Sequence, residues 1–215
     1  MAPKLNPSQF YQYNVVDACS VWNILSSETL YRAALLNNCA FCCTKFVHYE
    51  CLIRPRINDS ESEKKLREQL IIERKKGPQF ADYSLEIEDL QELEILANRK
   101  NLGKGELSSI IFAKKTRQAF MTDDRGARKL AESVMNNSMI QTTPHLLGWL
   151  FYSNILADSD KDTIIDEHSQ FRRTQWGNLS KFFQIMYERG LEYRLMHMTT
   201  GSDEYSCNKT TEHLA

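Results

Sequence analysis

Glycine and proline are scarce in this chain, 8 and 5 of 215 residues. That scarcity disfavours a β architecture full of tight turns and favours long helices with short connections. No uninterrupted apolar run approaches the roughly 20 residues that a membrane-spanning helix needs. The opening stretch "MAPKLNPSQFYQYN" lacks the apolar segment and small-residue cleavage site of a secretory signal. Neither sign of charge dominates: 27 Lys and Arg stand against 28 Asp and Glu, a net charge of −1. A surface for nucleic acid must therefore be a local patch and not a global field. There is no internal repeat and no Walker-type glycine loop, and Gly103-x-Gly105 is too short to mean more than a helix break.

Cysteine is present without a metal pattern. Of Cys19, Cys39, Cys42, Cys43, Cys51 and Cys207, five lie in apolar segments, where a free thiol packs as a small hydrophobe. Without an export signal, reduced thiols in a cytoplasm are the economical expectation. Cys39-x-x-Cys42 has no second ligand pair for structural zinc. It also lies in an apparent buried strand, whereas a thioredoxin-type motif opens a helix. The histidines His48, His145, His168, His197 and His213 are scattered without ligand spacing, and His48 falls on the surface or beside a cleft.

What is present is an alternation of apolar strands and patterned helices, in a chain long enough for one sizeable domain with an appendage. Tyr13 to Val16, "CAFCC", "QFADYSLEI", "QAFMT" and "MIQTT" read as strands, the third as an edge. Between them, Leu66, Leu70 and Ile71 mark one amphipathic helix, and Leu90, Leu93 and Leu96 with Ala97 mark another. Strands separated by helices of this length predict a three-layer α/β/α sandwich around a mainly parallel sheet. The expected organisation is a tail at 1–9, a main domain at 10–157 with a charged helical insertion at 54–77, a helical extension at 158–198, and a disordered tail at 199–215.

In open parallel sheets, ligands sit beyond the carboxyl ends of the strands. Asp17 and Asp124 fall there, and Glu50 and Glu106 lie near helix starts on the same side. Taken singly, Asp17 and Asp124 read as helix caps, Glu106 as a favourable first-turn charge and Glu50 as a solvated acid. Taken together, four carboxylates in a low-dielectric cleft need raised pKa values or a cation. Hard oxygen ligands suit Mg²⁺ or Mn²⁺, whose chemistry serves phosphodiester hydrolysis.

"VVDACSVWNILSS", "KFVHYECL", "GKGELSSIIFAKK" and "FMTDDRGARKLAES" resemble, in order and register, the PIN-domain nucleases, closest to the branch of VapC-like toxins of toxin–antitoxin pairs. The resemblance spans Tyr13 to Ala157. It implies a metal-dependent ribonuclease in which Asp17, Glu106 and Asp124 hold Mg²⁺ or Mn²⁺ and Glu50 helps position the nucleophile. It selects Asp124 over Asp123 as the ligand, leaving Asp123 as helix cap or supporting acid. Thr122 matches the family's Thr, which orients a carboxylate or phosphate. Asn23 matches a polar position of this branch and reads equally as an ordinary buried amide.

Of the basic clusters, Arg54 and Arg56 after Glu50, and Arg125 and Arg128 beside Asp124, are the best RNA contacts. The resemblance also implies an inhibitory, antitoxin-like partner protein and a homodimer, and the apolar "LLGWLFYSNIL" reads either as a dimer contact or as core. A catalytically idle scaffold module of the same fold, or a DNA-directed nuclease with the same metal site, are the competing readings.

Overall fold

Five short strands form one sheet in the order β3-β2-β1-β4-β5, every neighbouring pair parallel. They are β1 (Tyr13–Val16), β2 (Ala40–Thr44), β3 (Ala81–Tyr83), β4 (Ala119–Met121) and β5 (Ile140–Gln141). The structure is a computed structural model and describes residues 5–54, 60–97, 102–171 and 179–206, without the side chains of 97 and 199–206. Ten α-helices are described: α1 (Ala18–Leu25), α2 (Glu28–Leu36), α3 (Lys45–His48), α4 (Glu61–Lys76), α5 (Ile87–Ala97), α6 (Lys104–Thr116), α7 (Arg125–Val134), α8 (Thr143–Tyr152), α9 (Asp158–Gln170) and α10 (Ser180–Ser206). A π-helical turn, Tyr49–Ile53, follows α3 directly.

Successive side chains of a strand point to opposite faces, and the centre of the sheet shows the consequence. Val16 joins one core cluster with Val21, Leu30, Leu66, Leu146, Ile164 and Phe183, from α1, α2, α4, α8, α9 and α10. Val15 joins the other with Leu93, Leu107, Ile110 and Leu130, from α5, α6 and α7. Both faces are covered, so the sandwich has the three layers that the strand–helix alternation predicts.

The chain winds outward from β1 through β2 to β3, then returns past both to lay β4 and β5 on the other side of β1. The strand order reverses between β1 and β4. In such sheets the crevice at the carboxyl ends of the two diverging strands is where ligands bind. Asp17 directly follows β1, and Thr122 to Asp124 directly follow β4.

Local chemistry fixes the helix starts around this crevice. Asp17, Ser27, Thr44 and Asp124 each accept a backbone N–H with the side chain as N-caps, and Pro144 opens α8. The charged segment 54–77 contributes α4, the crossover from β2 to β3, which docks through Leu66 and Leu70. Arg74 ties that helix to β3 through the Phe80 carbonyl at 3.0 Å and the Asp82 carboxylate.

Two expectations change and one open reading closes. Ile71 and Leu90 were expected inside but are 38% and 40% exposed. The buried stripes run through Leu66 and Leu70, and through Leu93 and Leu96, and the two exposed residues fall off their edges at 100° per residue. The apolar surplus of α8 is core: Leu146, Leu147, Leu150 and Phe151 are wholly buried beneath α10 of the same chain. Gly148 and Gly190 permit that crossing, because a Cβ on Gly190 would stand 2.6 Å from the Gly148 carbonyl oxygen. α10 itself continues to Ser206, through the boundary at 199; residues 207–215 lie outside the described residues.

Cys39, just before β2, and Cys42 and Cys43 within it pack as hydrophobic side chains, Cys42 the least buried of the three. Burial pushes the Cys42 thiol up to about 11 and Cys39 and Cys43 up to about 12, so all three stay protonated at neutral pH. Among the described residues, no helix is long and apolar enough to cross a membrane.

Candidate functional site

Asp17 is the innermost of the four acids, with no exposed surface. Its Oδ1 accepts from the Ser20 backbone N–H at 2.9 Å and from the Cys19 thiol at 3.0 Å. Its Oδ2 accepts from the Thr122 hydroxyl. Burial raises its pKa to about 6, even though all three hydrogen bonds favour the carboxylate.

Thr122 connects the two diverging strands. While its hydroxyl donates to Asp17, the same oxygen accepts from the Asp124 backbone N–H at 3.1 Å. One buried side chain thereby fixes the end of β1 relative to the start of α7.

The adjacent acids Asp123 and Asp124 have different jobs. Asp124 is the N-cap of α7, its Oδ1 accepting from the Ala127 N–H at 2.7 Å. Asp123 turns the other way: its Oδ1 accepts from the Thr143 N–H at 3.0 Å, and its Oδ2 from the Thr143 hydroxyl at 2.6 Å and from Asn23 Nδ2 at 2.8 Å. Of the two readings left open for Asp123, helix cap or supporting acid, the cap belongs to Asp124 instead. Asp123 clamps the β4–α7 turn to α1 and α8, and Asn23 is the amide partner of that clamp.

Glu50 and Glu106 reach the crevice from its other wall. Glu50 lies in the π-helical turn and its Oε1 accepts from the Gly105 N–H at 3.0 Å. Glu106 lies in the first turn of α6 and its Oε2 accepts from the Gly103 N–H at 2.7 Å. A Cβ on Gly103 would stand 3.4 Å from Glu106 Oε2 and 3.6 Å from Glu50 Oε1, so both carboxylates face one patch of backbone. A Cβ on Gly105 would stand 2.7 Å from Glu50 Cδ, a distance that side chains do not tolerate. The two glycines are thus more than a helix break. They supply the amide donors for two acids, a role visible only once Glu50 is brought to them.

The two walls meet electrostatically at Glu106. Burial, followed by the charges of Asp17, Asp124 and Glu50, raises its pKa to about 7 against the Gly103 hydrogen bond. Glu50 is also raised, chiefly by burial, while Gly105 and the Arg54 charge oppose the shift. Hence the four acids expected from the sequence come from four segments, and the charges of the other three act on Glu106 near the strand-order reversal.

Asp17, Glu106 and Asp124 have no Lys or Arg ion pair among the described residues. Also among them, no three His, Cys, Asp or Glu side chains are grouped as ligands of one ion. The donor set, carboxylate oxygens only, fits a hard dication such as Mg²⁺ or Mn²⁺ and suits no soft metal.

The basic residues divide. Arg54 is exposed and lies close enough to act on Glu50. Arg125 is exposed and Arg128 half-buried, both in the first turns of α7 beside Asp124. Arg56 lies outside the described residues. His48 Nδ1 lies 3.7 Å from the Asp82 carboxylate, on the β3 side of α3, and burial lowers the imidazole's pKa. Sequence reasoning missed Cys19, Ser20 and Thr143, whose donors hold Asp17 and Asp123. Thr143 has no signal in the sequence, since only the fold brings it to Asp123, whereas Ser20 and Cys19 are local to Asp17 and the Ser20 N–H is the donor that an Asp17 cap calls for.

The chain matches no protein-family model, no curated protein and no solved structure.

Proposed function

We propose that this protein is a metal-dependent nuclease that hydrolyses RNA phosphodiester bonds, with Asp17, Glu106 and Asp124 holding Mg²⁺ or Mn²⁺. The observation that carries this reading is the shared field: Glu106 responds to Asp17, Asp124 and Glu50 together, at the point where the strand order reverses. A structural role has no use for concentrating like charge there, whereas a bound dication would supply the compensating charge and Lewis acidity toward a phosphate oxygen.

The chain's own groups have assignable parts. Thr122 keeps Asp17 in one orientation and holds the Asp124 turn against it. Glu50, half-buried and raised in pKa, can accept a proton from an attacking water at the rim of the site. Arg54, Arg125 and Arg128 flank the acids and would offset phosphate charge. The described cysteines are free thiols, in keeping with a cytoplasmic setting.

A second reading, a catalytically idle binding module of the same fold, has one observation in its favour. Asp17 is wholly buried with three donors already on its carboxylate, and no three acids are grouped around a point among the described residues. One experiment separates the two: RNA cleavage by purified protein with Mn²⁺, with EDTA, and with Asp17→Asn. The nuclease reading expects cleavage in the first alone. Cleavage that survives both EDTA and Asp17→Asn, or none with Mn²⁺, overturns it.

A further inference from the structure

Beside Glu50 lies an open groove of about 520 Å³ that the acids do not fill. Its walls are Lys45 and Phe46 from α3, Tyr49 and Arg54 from the π-helical turn and its end, and Lys104 at the start of α6. The π turn sets the side chains: Cys51 goes into the core at 2% exposure, while Tyr49 keeps 48% of its surface in solvent. Neither Lys45, Arg54 nor Lys104 is in an ion pair with a carboxylate of the described residues. Three cations outside any ion pair of the described residues, one of them Arg54 near enough to act on Glu50, and an exposed aromatic ring thus line the groove beside one acid of the site.

That combination matches the chemistry of an unpaired polynucleotide strand. Cations meet the phosphates, and an aromatic ring meets the face of a base. A base inside a duplex has both faces covered by its neighbours, so only an unstacked one can use the ring. The carboxylates of an acidic peptide would answer the cations but gain nothing from the negative face of the ring.

We propose that this groove holds single-stranded RNA, with one unpaired base stacked on Tyr49 and the flanking phosphates against Lys45, Arg54 and Lys104. Tyr49 then makes the enzyme selective for unpaired nucleotides. The inference rests on the nuclease reading for its placement beside Glu50, but it is tested by binding alone. A fluorescent RNA oligonucleotide is titrated with the full chain in EDTA, so that no cleavage intervenes.

Tyr49→Ala, at a half-exposed position where the thermal melt should stay within a few degrees, should weaken binding roughly five- to 150-fold. Tyr49→Phe should bind like the unaltered protein, since the ring and not the hydroxyl does the stacking. A duplex of the same sequence should bind more weakly, and equally to the unaltered protein and to Tyr49→Ala. Unchanged binding by Tyr49→Ala, or duplex bound as tightly as single strand, overturns the proposal. Tighter binding of the matching DNA strand transfers the groove to DNA, and tighter binding of oligo-glutamate transfers it to a protein partner; either overturns the RNA assignment. If Tyr49-dependent RNA binding is found but Mn²⁺ never elicits cleavage, this inference stands and the nuclease reading falls.

Discussion

The two walls of the acidic crevice are built in opposite ways. On one, Asp17 and Thr122 are fully buried at the ends of adjacent central strands, and three donors fix the Asp17 carboxylate. On the other, Glu50 and Glu106 are half-buried and anchored at glycine amides of the α6 N-terminus. Yet the half-buried Glu106 is raised as far, from 4.5 to about 7, as the fully buried Asp17, from 3.8 to about 6. The partners make up for the unequal burial: donors pull Asp17 back toward the carboxylate, while neighbouring acids push Glu106 further from it. Strand ends fix where charge sits, and the helix edge decides how much of it is tolerated.

The largest expected effect breaks that wall at its adjacent acids. Asp124→Asn keeps the α7 cap, since Asn caps as well as Asp, but removes a charge. RNA cleavage should fall on the order of 10²–10³-fold with little change in the thermal melt. Asp123→Asn should do the reverse. Its amide meets donors from Thr143 and Asn23, costing about 2–3 kcal/mol, or roughly 5–10 °C in melting temperature, while the folded protein still cleaves. Equal loss of cleavage from both variants would erase the distinction between site acid and clamp.

Gly105→Ala tests the other wall. The added methyl displaces Glu50, and cleavage should drop about 10–100-fold. Ala is the better helix former by up to about 1 kcal/mol, so the melt should hold or rise. Wild-type cleavage by this variant would show that Glu50 does not need its amide anchor.

The smallest effect is on stability against pH. Glu106 has a folded pKa raised from 4.5 to about 7, so the folded protein binds the extra proton within that window. Its contribution is fully present below 4.5 and is lost as pH rises through about 7. In EDTA the melting temperature should therefore fall across this range, and Glu106→Gln should flatten the decline. A decline that Glu106→Gln leaves untouched would assign it to another group.

Much of the fold was legible because its signals are local. Apolar runs ended by Asp17 and by Thr122 marked β1 and β4, and the caps at Asp17 and Asp124 marked the helices after them. The placement of the four acids at strand ends and helix starts was legible as well, because parallel strands send their carboxyl ends to one edge. Which of two neighbouring carboxylates caps a helix was not, since Asp123 and Asp124 differ only in what the fold brings beside them. Gly103 and Gly105 looked like a break because an amide donor has no sequence signature. Leu90 was misplaced because its neighbours left the stripe one position of freedom.

The most direct measurement of the central claim is calorimetric titration of Mn²⁺ into the protein near pH 7, repeated in buffers of different ionisation enthalpy. Since Glu106 is about half protonated there, saturable binding should release protons. Glu106→Gln should bind more weakly without that release, and Asp17→Asn and Asp124→Asn should bind more weakly still. Absence of saturable Mn²⁺ binding, or binding indifferent to all three substitutions, would contradict the account.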